Sequence, residues 1–183
     1  MLFRYFNTYL LNYAGLLVLA LLLFAPSLLP AFYEPGQEQL RLAVWHVLAT
    51  DGMLYADSWA SVPPVGLWLE GLLQLTFGTG APLAGGLIAL GLSYFNALVV
   101  NQFLVSYRFV ERFVMWPGML MLMVQALPWH EQGLTPMLLA STWMLLAVVL
   151  LIQRFTSGAP LRGNRLFGLG VLLGVALGTH FLS

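Results

Sequence analysis

This sequence predicts an all-α integral membrane protein with about five transmembrane helices, and three observations carry that expectation. Of its 183 residues, 60% are hydrophobic and only 8% are charged, where a soluble domain carries about 25%. Five apolar runs reach or approach the roughly 20 residues a helix needs to cross a hydrocarbon core. All seven basic side chains are arginines, unevenly placed between the runs. Mean hydropathy is +0.86, formal net charge is zero, and no basic stripe is present, which argues against nucleic acid as a partner. Cysteine is absent, which excludes disulfides and thiolate metal sites.

The first run, about 10–30, follows Arg4 and ends at Pro30, Phe32 and Tyr33, not at a small-residue cleavage motif. It is expected to be a retained span and not a removed signal peptide. Residues 31–81 then form one large loop with two helices of its own, 38–50 and 63–77. In the first, Leu40, Ala43, Val44, Val47 and Leu48 make an apolar stripe opposite Gln39, Arg41 and His46. The second opens on Pro63-Pro64, tolerated in a first helical turn, and carries Glu70 and Gln74 on one face. Four further spans are expected at about 82–104, 113–127, 136–153 and 166–182.

Whether 63–77 crosses the membrane or lies along it is decided by arginine. Cytoplasmic flanks collect Lys and Arg. If the segment lies flat, Arg4, Arg108, Arg112, Arg154, Arg162 and Arg165 share the cytoplasmic side and Arg41 alone lies outside. If it crosses with the N-terminus inside, five of those six move outside. A six-crossing arrangement with the N-terminus outside scores the same as the flat one. The flat arrangement places the N-terminus in the cytoplasm and the large loop and C-terminus outside. Trp45, Tyr55, Trp59 and Trp68 then sit at headgroup depth, where aromatic side chains gather.

Asp51–Pro64, DGMLYADSWASVPP, followed by an amphipathic helix ending in Phe77-Gly78, resembles the first outer loop of the GT-C superfamily. The likeness is to the aminoarabinose transferase and protein O-mannosyltransferase type, which take a sugar from a polyprenyl-phosphate carrier at the outer membrane face. It implies a GT-C-like N-terminal module in a bacterial inner membrane, with both loop helices interfacial. The specific part covers about forty residues. In that family the loop begins with Asp-Glu, turns through Gly-x-x-Tyr-x-Asp, and opens its second helix with Lys-Pro.

Carried over by position, the working groups of the family are mostly missing. Its catalytic Asp falls on Gln37, beside Glu38; its carrier-phosphate Lys falls on Val62; a further acidic position falls on Thr135-Pro136. An amide cannot act as a general base, valine offers a phosphate no cationic donor, and a lone hydroxyl is a poor divalent-cation ligand. The resemblance therefore implies a short, degenerate relative without catalysis, a scaffold or accessory subunit of a cell-envelope complex. Gln37, Tyr55, Trp59, Glu70 and Arg41 are candidates for a retained lipid-carrier groove.

Two other readings stay open. Glu38, Asp51 and Asp57 could supply a base and divalent-cation ligands to an active transferase, although Asp51-Gly52 and Asp57 also suit turns and caps. A small transporter is the other, with no intramembrane charge pair to favour it. No metal site is expected from His46, His130 and His180, which are far apart in sequence. Asn96 and Asn101 either line a groove or bond neighbouring helices. The methionines at 115, 119, 121 and 123 read as adaptable packing. Gly170, Gly174 and Gly178 put a bare stripe on the last span, a docking face for a partner helix or a second copy.

Overall fold

The computed structural model describes residues 2–28, 64–111, 115–126, 134–157 and 163–180. These form six α-helices and no strand. They are α1 (Leu2–Phe24), α2 (Pro64–Phe77), α3 (Ala81–Ser106), α4 (Trp116–Ala126), α5 (Pro136–Ser157) and α6 (Gly163–His180). The helix expected at 38–50 lies outside the described residues.

Proline and glycine set the boundaries. Pro64 and Pro136 are the first residues of α2 and α5, and Pro82 and Pro117 the second residues of α3 and α4. In the first turn the missing N–H would have had no helical partner anyway. Thr135 caps α5, its hydroxyl accepting the Leu138 N–H at 3.1 Å. Gly78 ends α2 at φ 53°, a left-handed conformation that costs glycine little. The short 3-10 turn Gly78–Gly80 then leads into α3.

The end of α3 follows the same rule with the less suitable residue. Arg108 adopts φ 57°, its N–H bonds the Val105 carbonyl at 3.1 Å, and the Phe109 N–H bonds the Leu104 carbonyl at 3.0 Å. This pair of bonds is the Schellman arrangement, usually built on glycine.

The contacts define the direction of every long helix. Leu16, Ala20 and Phe24 of α1 share a core with Ala97 of α3 and with Leu122 and Ala126 of α4. A Cβ on Gly15 would meet Met115, and one on Gly118 would meet Leu16, so α1 and α4 run in the same sense. The 107–115 connection makes α3 and α4 antiparallel neighbours. In α5, Thr142 bonds Asn96 and Thr156 bonds Tyr107, so α5 is parallel to α3. The pair α5 and α6, joined by 158–162, pack along each other more extensively than any other two helices.

It follows that α1 enters the bundle from the end where α3 leaves it. The chain therefore departs after residue 28 and returns at residue 81 on the same end. A single net crossing by α2, which the six-crossing arrangement requires, would have made α1 and α3 parallel. The starts of α1, α4 and α6 and the ends of α3 and α5 meet at the other end. Arg4, Arg108, Arg154 and Arg165 belong to these termini, and in sequence Arg112 and Arg162 fall in the two connections made there.

Gly71–Ser106, 36 residues, is the one stretch among the described residues long and apolar enough to cross a membrane. The apolar stretches Asn12–Phe24, Met137–Gln153 and Phe167–Leu177 are shorter. Helix α4 has 11 residues, about 16 Å at 1.5 Å per residue, where the sequence predicts 113–127.

Candidate functional site

The interior of the bundle is lined by small and neutral polar side chains. Along α3 the buried residues are Ala81, Gly85, Gly86, Ala89, Ser93, Asn96, Ala97 and Asn101. Most recur every four residues, so they fall on one slowly turning face. Absence of bulk lets neighbours approach closely: a Cβ on Gly118 would stand 3.0 Å from Leu16 Cδ1 and 3.1 Å from the Ala97 carbonyl oxygen.

Many large apolar side chains point outward, although Leu16, Phe24 and Leu122 are buried in the core. Leu17, Val18, Leu21 and Leu22 of α1, Leu83, Leu87 and Phe95 of α3, and Phe167, Val171 and Leu177 of α6 are all exposed. Helix α2 repeats the pattern. Trp68 and Leu75 are 62% and 66% exposed, and Leu72 lies with them, while Gln74 is only 9% exposed.

Glu70 and Gln74 share one face of α2 by spacing, and Gln74 packs inward beside Leu73, which joins Ala81, Ala89 and Leu138 in a core. Spacing tells which residues share a face. It cannot tell which face a neighbouring helix covers, and here α3 and α6 both pack on α2.

Polar side-chain contacts join helices, both inside the bundle and at its surface. Asn96 Nδ2 donates to Thr142 Oγ1 at 2.9 Å, and Thr142 donates its own proton to the Leu138 carbonyl at 2.8 Å. On the other side, Gln102 Nε2 donates to the Tyr13 hydroxyl at 2.6 Å, and the Tyr94 hydroxyl donates to the Tyr13 carbonyl at 3.2 Å. Of the two roles open to Asn96, the bond between helices is the one observed. Met115 and Met119 pack against the core around Leu16 and Leu122.

Several buried polar atoms have no hydrogen-bond partner among the described residues: Ser93 Oγ, Asn96 Oδ1, Asn101 Oδ1 and both amide atoms of Gln125. An unmet buried polar group costs about 1–3 kcal/mol, so these side chains are a burden unless something satisfies them. Sequence reasoning singled out Asn96 and Asn101 as rare amides in an apolar run. Ser93 and Gln125 were missed, because one serine or one glutamine among leucines looks unremarkable until its burial is known.

Gln37, Glu38, Arg41, Asp51, Tyr55, Asp57, Trp59 and Val62 lie outside the described residues. Glu70 lies on α2, whose backbone alone is described at that position. Thr135, on the position that the resemblance matches to an acid, is buried and spends its hydroxyl on capping α5. Among the described residues no three His, Asp or Glu side chains come together as a metal site would require.

Gly170 and Gly174 of α6 are exposed, and a Cβ built on either would meet nothing within 4 Å. In this span Ala176 is buried and Gly168 open as well. The glycine face thus points away from the side on which α6 packs.

No family model matches the chain, and neither a curated protein nor a solved structure matches it.

Proposed function

We propose that this chain is an integral inner-membrane protein that acts as a non-catalytic, GT-C-like scaffold or accessory subunit of a cell-envelope complex. One observation carries the membrane part of the reading: large apolar side chains are widely exposed while neutral polar side chains are buried. Leucine, phenylalanine and tryptophan are exposed on every described helix, while Gln74, Ser93, Asn96, Asn101, Thr135 and Thr142 are buried beside a core that also holds Leu16, Phe24 and Leu122. In water, exposed apolar patches of this extent invite association. In lipid they are at home, and helices are held by close packing of small residues and by hydrogen bonds.

The helix directions support a cytoplasmic N-terminus, with the loop 29–80 and the end of α6 outside. They bring Arg4, Arg108, Arg154 and Arg165 to one end, as cytoplasmic flanks require. The non-catalytic part of the reading rests on Gln37, Val62 and Thr135 at positions where the resembled enzymes carry charge. The open face of α6 at Gly170 and Gly174 is the surface offered to a partner helix, with Gly178 continuing the glycine spacing in sequence, and the loop keeps a groove for a polyprenyl-phosphate lipid.

Purification from membranes in mild detergent tests the reading. A stoichiometric membrane partner, or a stable homo-oligomer, is the expected result; a lone monomer that leaves the membrane in alkaline carbonate overturns it. Because the chain has no cysteine, single-cysteine variants report sidedness directly. Arg108→Cys should be labelled from the cytoplasm and Tyr55→Cys from outside, and labelling of both from one side would reject the topology.

A further inference from the structure

Ser93 and Asn96 lie three residues apart on α3, both 0% exposed, and each has an oxygen without a hydrogen-bond partner among the described residues. Residues at this spacing are neighbours on a helix surface, about 5–6 Å apart at Cβ. Helix α5 packs on this part of α3 through the Asn96–Thr142 bond and through the shared core of Ala89, Leu138 and Leu139.

The orientation of Asn96 follows from proton bookkeeping. Thr142 has one hydroxyl proton, and it goes to the Leu138 carbonyl. Towards Asn96 that hydroxyl can only accept, so Asn96 must present Nδ2, and Oδ1 is turned to the opposite side of the amide. Ser93 is unusual in a complementary way. Thr76, Ser141, Thr142 and Thr156 each donate to a carbonyl three or four residues back, the common resort of a hydroxyl in an apolar helix. Ser93 Oγ makes no such bond.

We infer that Ser93 and Asn96 together hold one buried water molecule against α3. The water donates one proton to Asn96 Oδ1 and uses its second proton or a lone pair on Ser93 Oγ. With bonds of about 2.8 Å on each side it spans oxygens up to about 5.6 Å apart, which matches neighbours one helical turn apart. A buried water satisfies two to four polar groups, whereas a hard cation would need at least six oxygens.

The test compares Ser93→Ala in the parent protein and in Asn96→Leu, by thermal unfolding in detergent micelles. With the water present, Ser93→Ala strips it of one anchor and leaves Asn96 Oδ1 unmet, lowering Tm by about 2–4 °C. In Asn96→Leu the same change should leave Tm unaltered or raise it. Equal shifts in both backgrounds would overturn the inference. If Asn96→Leu does not fold, magnetization transfer from water to the Asn96 side-chain amide decides. A long-lived water signal in the parent that vanishes in Ser93→Ala is expected; its absence in the parent, or its persistence in Ser93→Ala, rejects the site.

Discussion

Gly118, where α1, α3 and α4 meet, would crowd Leu16 and Ala97 with a Cβ at 3.0–3.1 Å, whereas Gly170 and Gly174 on α6 face open space. Both regions look alike as sequence, apolar runs punctuated by glycine. In the first, the glycine is the reason two helices touch: the backbone of Ala97 and the side chain of Leu16 crowd the volume a Cβ would need. In the second, the glycine keeps a face bare while α6 packs with its other side. Small residues at helical spacing mark where a helix can be approached closely, and only the packing says whether the approach has been used within the chain.

The sharpest way to break this comparison is Gly118→Leu. The backbone carbonyl at Ala97 cannot yield as a flexible side chain would, so the variant should lose about 3 kcal/mol, the upper part of the range for overpacking. Denaturant unfolding of the detergent-solubilised protein measures it, and a loss below about 1 kcal/mol would mean that the seam is looser than its geometry. Next in size is Asn96→Ala, which removes the bond to Thr142 and opens a small gap; a loss of about 1–2 kcal/mol is expected, read by the same unfolding curve. The Thr142→Ala variant should lose less on its own and show coupling to Asn96 in a double-mutant cycle.

Arg108→Gly should act in the opposite direction. Arginine at φ 57° sits in a conformation that costs an L-residue about 1–2 kcal/mol and glycine almost nothing. A gain of about 1 kcal/mol in stability is expected, and a loss would show that the arginine side chain contributes more than its backbone strain costs. The smallest effect on the isolated chain belongs to Gly174→Leu, within about 0.5 kcal/mol because the new side chain meets no neighbour. The same variant should abolish recovery of the partner or oligomer in mild detergent. Retained association would place the docking surface elsewhere and end the parallel between the two glycine regions.

Much of the helical layout was legible without coordinates, and for local reasons. Helix α2 runs from Pro64 to Phe77, as the proline ahead of it and the glycine behind it predict. Thr135-Pro136 reads as a start and is one. By contrast, the left-handed turn at Arg108 carried no signal, because glycine is the residue that announces such a turn and arginine does not. The inward placement of Gln74 was equally hidden: its stripe was recognised and its direction was not. Of the site, Asn96 stood out as an amide in an apolar run, while Ser93 gained meaning from burial and from the back-bond it does not make. The loop residues that carry the resemblance, from Gln37 to Val62, lie outside the described residues.

Composition alone determined that the chain is helical and apolar. With 60% hydrophobic and 8% charged residues, its backbone polar groups are best met within each segment, and proline and glycine then mark the ends. What tertiary structure decided is direction and facing: that α1 opposes α3, that α3 and α5 run together, that Gln74 turns in and Trp68 out, and that α6 leaves its glycines uncovered. Those outcomes depend on which neighbour fills the space beside each face. Periodicity places residues around a helix axis but carries no information about what stands across from them.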